Sequence, residues 1–189
     1  MNLKNKIIAF GLTGSFYTFK NTILQIRELV NEGTKILPIM SYNAYKTDIN
    51  FGKSKNFINE IEELTEKKII HTIKDAESLK MVDIMIIAPC TGNTFAKLSI
   101  GIADTPVLVA AKLNLRNNNP LVIGISTNDG LSTNAENIGK LLNRKNYYFV
   151  PFRQTNPLTK PYSLAFEPKH IKRTIEYALD REQIQPILL

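Results

Sequence analysis

A three-layer α/β fold is what this sequence predicts: a doubly wound, mostly parallel sheet between two layers of helices. Two observations carry that prediction. Short apolar runs of strand length alternate with amphipathic stretches of helical period, which implies βαβ crossovers. The apolar runs also lack in/out alternation, as expected of strands buried on both faces.

Residues 6–11 (Lys-Ile-Ile-Ala-Phe-Gly) are the first expected strand. Over 19–30, Phe19, Ile23, Ile26, Leu29 and Val30 share one helical face, and Gly33 supplies the stop. Residues 35–40 are the second strand; Pro38 cannot donate to a ladder, so the strand is either bulged there or open on one side. Residues 41–53 are polar and irregular, a long connection of the kind that is often functional. Phe57, Ile58, Ile61 and Leu64 mark a helix with Ser54 as its expected cap. Ile69-Ile70 begins a weak strand, and a short helix is expected over 76–81. The run 83–89 (Asp-Ile-Met-Ile-Ile-Ala-Pro) is the strongest strand. Helices follow over 94–100 and 106–115, then a strand over 121–126, a helix over 135–142 and a strand over 147–150. From Pro151 to about residue 167 the chain reads as a loop, and Ile171, Ile175 and Leu179 mark a final helix. Without repeats or linkers, 1–189 is expected to be one domain, with 151–189 a C-terminal loop–helix extension that docks on it or on a neighbour.

Hydrophobic residues make up 43% and charged residues 22% of the chain, close to globular averages, which argues against disordered and fibrous classes. No apolar run approaches a membrane span, and the N-terminus has no signal-peptide core, so a soluble cytoplasmic protein is expected. A single cysteine cannot form an internal disulfide. The 24 basic residues exceed the 17 acidic ones, giving +7, but they are scattered, and 18 are lysine against 6 arginine. Nucleic-acid binding is therefore not expected; a positive field can equally attract a small acidic substrate.

In an open α/β sheet, ligands bind outside the carboxyl ends of the strands. That rule selects Gly11-Leu12-Thr13-Gly14-Ser15, then Ser41, then Cys90-Thr91-Gly92-Asn93-Thr94, then Thr127-Asn128-Asp129-Gly130 after Ser126. These turns hold Gly, Ser, Thr and Asn, and neither Lys nor Arg. Such chemistry suits a phosphate held by backbone N–H groups, hydroxyls and a helix N-terminus. Each turn alone is equally compatible with ordinary turn and cap chemistry. The Gly11-x-x-Gly14 spacing matches neither a dinucleotide fingerprint nor a Walker loop, and no acidic residue follows in strand two, so a mononucleotide is favoured. The two histidines, His71 and His170, lie far apart in the sequence, and no cluster has metal-ligand spacing, so no metal is expected. Cys90 reads as a packed side chain rather than a nucleophile, and Asp104-Thr105-Pro106 as a helix cap.

Three segments carry a resemblance: Gly11-Leu-Thr-Gly-Ser15, Ala88-Pro-Cys-Thr-Gly-Asn-Thr-Phe-Ala-Lys97 and Gly101-Ile-Ala-Asp104. They resemble the family of homo-oligomeric flavin-containing decarboxylases and related flavoproteins, whose signature is A-P-x-T-x-N-T-x-x-K followed by G-I-A-D. The resemblance implies a Rossmann-like flavoprotein fold and bound FMN. Thr13, Gly14 and Ser15, with Gly11 in the same turn and Ser41, would surround the FMN phosphate. Pro89, Thr91 and Asn93 would lie along the flavin ring and ribityl chain, and Ser126, Thr127 and Asn128 would close the far side. It also implies a trimer or multiple of trimers. Further likeness within the family comes from Phe10–Ser15, Pro38-Ile-Met-Ser-Tyr42, Phe51-Gly-Lys53, Asp104-Thr-Pro-Val107, Ile125–Asp129 and Tyr148-Phe-Val-Pro-Phe152. It implies one subunit of a two-subunit oxidoreductase, whose partner binds NADP and whose substrate is a small dihydropyridine dicarboxylate. Arg153 is the expected carboxylate clamp, with Lys97 and Lys112 as lesser candidates. The family's P-A-M-N-type loop is Ser126-Thr-Asn-Asp129 here, which disfavours a cysteine decarboxylase and leaves the catalytic residues unassigned. A flavin-dependent decarboxylase, a flavin prenyltransferase-like enzyme and a non-catalytic assembly partner stay open as alternatives.

Overall fold

The computed structural model describes residues 3–47, 54–79 and 82–189. Its first strand, β1 (Ile7–Leu12), is entirely buried beyond Ile7 and pairs in parallel with β2 (Lys35–Met40) on one side and β3 (Ile84–Cys90) on the other. The helix α1 (Phe19–Asn31) joins β1 to β2, burying Phe19, Ile23, Ile26 and Leu29, and Gly33 follows at φ +83°, as its expected stop role requires. Pro38 sits opposite Phe10 in an unbroken register, so there is no bulge; β2 is an edge strand, touched on its outer side by the single bridge Ile39–Ile70. The weak third strand expected from sequence is reduced to that bridge.

The long polar connection is partly ordered as α2 (Tyr42–Lys46), which Ser41 caps by accepting from the Ala44 amide at 3.3 Å. The Phe51-Gly52-Lys53 segment lies outside the described residues. The described part of α3 (Ser54–Thr65) already includes Ser54, its expected cap, and α4 (Ile73–Glu77) starts three residues before the expected helix, because Thr72 caps it through the Asp75 amide. Met81, the expected end of that helix, is outside the described residues.

Strand β3 is followed by α5 (Gly92–Ile100) and α6 (Pro106–Arg116), then β4 (Leu121–Thr127), α7 (Ala135–Leu142) and β5 (Tyr147–Phe149). Thr105, not Asp104, caps α6 ahead of Pro106, and Asp104 pairs with Lys97 at 2.6 Å. Asp83 fastens β3 to β1, accepting from the Ile7 amide at 2.8 Å and from Lys6 at 3.1 Å. The parallel strands run β2-β1-β3-β4-β5. The β1–α1–β2 crossover travels one way across the sheet and β3–α6–β4 the other, so right-handed connections place α1 and α6 on opposite faces.

The segment after Pro151 differs from the expected loop. It forms an antiparallel hairpin of β6 (Phe152–Asn156) and β7 (Lys160–Phe166), and β7 pairs with β4 through Ser126↔Ala165 and Thr127↔Leu164. Polar Thr, Gln, Asn and Lys hide a strand pattern in the sequence, and burial does not alternate along β7: Lys160, Pro161 and Tyr162 are exposed at its start, whereas Ser163, Leu164 and Phe166 are buried nearer its end. The last helix, α8 (Ile171–Leu179), buries Ile171, Thr174, Ile175 and Ala178.

Beyond α8 the tail completes the sheet edge. Gln183 accepts from the Phe149 amide at 2.7 Å and donates to its carbonyl at 2.8 Å, taking the place of a neighbouring strand. Buried backbone groups left unpaired cost about 1–3 kcal/mol each. Gln183→Leu keeps the volume and strands both, so a loss of about 2–4 kcal/mol is expected in urea unfolding; an unchanged midpoint would mean that water satisfies this edge.

Candidate functional site

The connections of β1 and β3 leave these adjacent strands in opposite directions, which opens a crevice between them at their carboxyl ends. Pro89 in a central strand cannot donate to the ladder, and the β3–β4 register shifts between Ile87 and Cys90. That irregularity frees the Pro89 carbonyl to accept from the Thr13 amide at 3.2 Å and the Thr13 hydroxyl at 2.8 Å. The same Thr13 hydroxyl accepts from the Thr91 amide at 2.9 Å. Thr13 is thus a buried brace that fixes the turn after β1 against the turn after β3.

Around this brace lies a cleft of about 740 Å³, within the roughly 300–1,000 Å³ of small-molecule sites. Of the residues singled out from sequence, Gly14, Ser15, Thr91, Asn93, Ser126, Thr127 and Asn128 line it. Gly11, Thr13, Ser41 and Pro89 do not: Gly11 is inside β1 against Val107 and Met85, Pro89 is buried in β3, and the Ser41 hydroxyl caps α2. All four turns nevertheless sit at one end of the sheet, since the Ser41 amide bonds the Leu12 carbonyl at 3.0 Å. Across the cleft Ser15 and Ser126 join hydroxyl to hydroxyl at 2.6 Å. Arg153 is not a lining residue; it lies 3.6 Å from Glu167.

At the α5 N-terminus the amides of Gly92, Asn93 and Thr94 precede the first intrahelical bond, Phe95 N–H to Thr91 at 2.9 Å. Gly92 leaves room there for the side chains of the neighbouring turn, because a Cβ would fall 2.5 Å from the Thr127 hydroxyl and 2.8 Å from the Asn134 side-chain amide and force them to shift. Those two groups both donate to Oδ1 of Asp129, the Asn134 bond being 2.8 Å. The chain continues from Asn134 to Asn137 at 2.9 Å and from Asn137 to Ser99 at 2.5 Å, tying the cleft turn to α5 and α7.

Burial pushes the Asp129 carboxyl up, but the Thr127 hydroxyl and Asn134 amide together outweigh it and hold it below the usual carboxylate range. A depressed native value means that the unfolded chain binds more protons in acid. The contribution of Asp129 to stability is therefore complete above about pH 4 and lost as pH falls through the native value. Asp129→Ala is expected to cost about 1–2 kcal/mol at pH 7, with the gap to wild type narrowing in urea melts as pH falls below about 4; a pH-independent gap would contradict this account.

Burial also drives the Cys90 thiol far above its ordinary range, so it stays protonated and packed, as expected of a small core side chain. His71 is held away from the cleft, stacked on Tyr45 with ring centroids 4.0 Å apart. Among the described residues no cluster could hold a metal ion, and no helix is long and apolar enough to cross a membrane.

Sequence reasoning missed the other wall. Thr155, Asn156, Thr159, Lys160 and Ser163 of the β6–β7 hairpin line the cleft. The hairpin was hidden by its polar strands, and only the Asn156-Pro157 turn pair hinted at it.

A doubly wound parallel sheet with uncharged hydroxyl and amide turns at its switch point is the architecture of nucleotide-type cofactor binders. The Flavoprotein family matches residues 1–165, and the chain belongs to it. The chain is 45% identical over 191 residues to the B subunit of dipicolinate synthase from Bacillus subtilis (strain 168), covering all of this chain and 96% of that one. It matches the crystal structure of the dipicolinate synthase B subunit from Bacillus halodurans C with a TM-score of 0.92 at 43% identity, over 100% of this chain and 98% of that one. The FMN-dependent cysteine decarboxylase SpaF shares the fold at a TM-score of 0.67 and 18% identity, over 95% of this chain and 98% of that one.

Proposed function

We propose that this chain is the FMN-binding B subunit of a dipicolinate synthase. It would act with an A subunit, which brings NADP, to oxidise a dihydrodipicolinate-type intermediate to pyridine-2,6-dicarboxylate in the mother-cell cytoplasm during sporulation. A homo-oligomer, a trimer or multiple of trimers, belongs to the same reading. The observation that carries it is the cleft: three switch-point turns of uncharged donors meet there, in a chain similar over its whole length to that subunit.

The donor set fits FMN. Ser15 and Ser126, bonded to each other, offer their hydroxyls and Gly14 its backbone to the phosphate, the Ser15 amide being taken by the Thr13 carbonyl at 2.7 Å, and Thr91 and Asn93 offer polar contacts to the ribityl chain and ring edge. Thr127 and Asn128 close the far side, while Gly11, Thr13, Ser41 and Pro89 act behind the lining by holding the turns. When bound, the flavin would supply a hydride acceptor as the substrate ring becomes aromatic. The protein's part is to orient two flat molecules and exclude water between them.

The purified chain is expected to take up FMN, to show bound-flavin absorbance, and to turn over a dihydropyridine dicarboxylate only when the A subunit is added. Carbon dioxide release from a cysteinyl peptide by the chain alone would replace this reading with a decarboxylase. A chain that takes up no FMN yet binds the A subunit would replace it with an assembly role.

A further inference from the structure

We infer that the β6–β7 hairpin is the substrate-recognition wall of the cleft, with Lys160 seating a carboxylate; this rests on the flavin and dicarboxylate reading above. The two walls differ in charge. The turn wall of Gly14, Ser15, Thr91, Asn93 and Ser126 is uncharged, whereas the hairpin wall brings Lys160, the one cation among the described lining residues. Lys160 has no ion-pair partner among the described residues, while two of the sequence candidates are engaged, Lys97 with Asp104 at 2.6 Å and Arg153 with Glu167 at 3.6 Å, and the third, Lys112, does not line the cleft. The one acid among the described lining residues, Asp129, is committed to Thr127 and Asn134. A carboxylate reaching Lys160 therefore displaces no ion-pair partner, and Thr155 and Thr159 share the same wall, where the Ser163 hydroxyl is donated to Asn128 at 3.4 Å.

The wall is fixed before any ligand arrives. Gln154 donates to the Pro161 carbonyl at 2.8 Å, and Asn156 accepts from the Leu158 and Thr159 amides at 3.0 Å each, which sets the turn that leads into Lys160. The Leu131 amide donates to the Tyr162 carbonyl at 3.0 Å, and Leu164 packs so closely on Gly130 that a Cβ there would lie 2.6 Å from it. The hairpin is thereby fastened to the turn after β4, and its charge is presented at low ordering cost.

A phosphate could use the same lysine, so the test separates the two anions. Dipicolinate and the neutral pyridine-2,6-dicarboxamide are titrated calorimetrically into the FMN-saturated full chain, as wild type, Lys160→Ala and Lys160→Arg, with FMN affinity measured for each. Lys160→Ala is expected to weaken dipicolinate about tenfold or more while leaving the dicarboxamide and FMN within about twofold. Lys160→Arg keeps the charge and is expected to stay within about fivefold of wild type. Equal dipicolinate binding by wild type and Lys160→Ala overturns the seat, as does absence of dipicolinate binding by the flavin-loaded wild type. Loss of FMN affinity in Lys160→Ala assigns the lysine to the phosphate and also overturns it. A wild-type chain that takes up no FMN fails the underlying reading, a result distinct from all of these.

Discussion

Ser15→Asp is expected to abolish FMN binding while leaving the fold intact. Ser15 lines the cleft, its hydroxyl lies 2.6 Å from that of Ser126, and Gly14 beside it is open enough that an added Cβ would meet nothing closer than 3.6 Å. The extra carboxylate has room at this partly exposed turn, so the core strands behind it are undisturbed. Two like charges about 4 Å apart repel by about 4 kcal/mol at an effective dielectric of about 20. Even half of that weakens a phosphate ester by more than about tenfold, and the full value by about 10³. Ser15→Ala, which removes one hydroxyl without adding charge, is expected to lose only about 1 kcal/mol. Flavin absorbance after dialysis and the far-ultraviolet dichroism of both variants provide the comparison. A folded Ser15→Asp chain that stays yellow would move the phosphate away from this turn, and with it the division of the cleft into a cofactor wall and a substrate wall.

How much of this site could be read from residues alone follows from what kind of signal each part leaves. The switch-point turns were legible because strand ends are marked by apolar runs, and the turns interrupt them with Gly, Ser and Thr. Gly14, Ser15, Thr91, Asn93, Ser126, Thr127 and Asn128 do line one cleft. What the pattern could not separate is a hydroxyl that faces a ligand from one that braces the turn behind it. Thr13 and Ser41 have the same chemistry as Ser15, yet Thr13 bonds the Pro89 carbonyl and the Thr91 amide, and Ser41 caps α2. Only register and burial distinguish them. The hairpin wall left a weaker trace because its strands are short, polar and half exposed, so periodicity had little apolar content to act on. Arg153 was selected for its charge at a plausible place in the chain, but Glu167 lies beside it and Lys160, seven residues on, lines the cleft instead.

Phe149→Ala is expected to give the largest loss of stability among these variants, because Phe149 couples the sheet edge to the helix that carries the cleft turn. Its side chain is wholly buried on β5, the shortest strand of the sheet. The ring meets Phe95 of α5 edge-on, with centroids 6.2 Å apart and planes at 78°, and Phe152 of β6 at 6.4 Å. Truncating a buried phenylalanine costs about 3–5 kcal/mol, the sum of lost transfer energy and the cavity left behind. The edge-on aromatic pair accounts for about 0.5–1.5 kcal/mol beyond area. Collapse of the site is limited on the backbone side, where Gln183 holds both polar groups of Phe149 in place. A chain of this size loses about 2–4 °C of melting temperature per kcal/mol, so a drop of about 10 °C or more is expected. Phe149→Leu retains most of the volume and is expected to lose less than half as much. Because Phe95 lies three residues beyond Gly92, loosening its contact also frees the first turn of α5, and FMN affinity is expected to fall in Phe149→Ala even where the chain remains folded. If the melting temperature drops while flavin affinity stays at the wild-type value, the α5 turn is held by the Thr13–Thr91 brace and the Asn134–Asn137–Ser99 chain, and the aromatic pair serves the core without reaching the site.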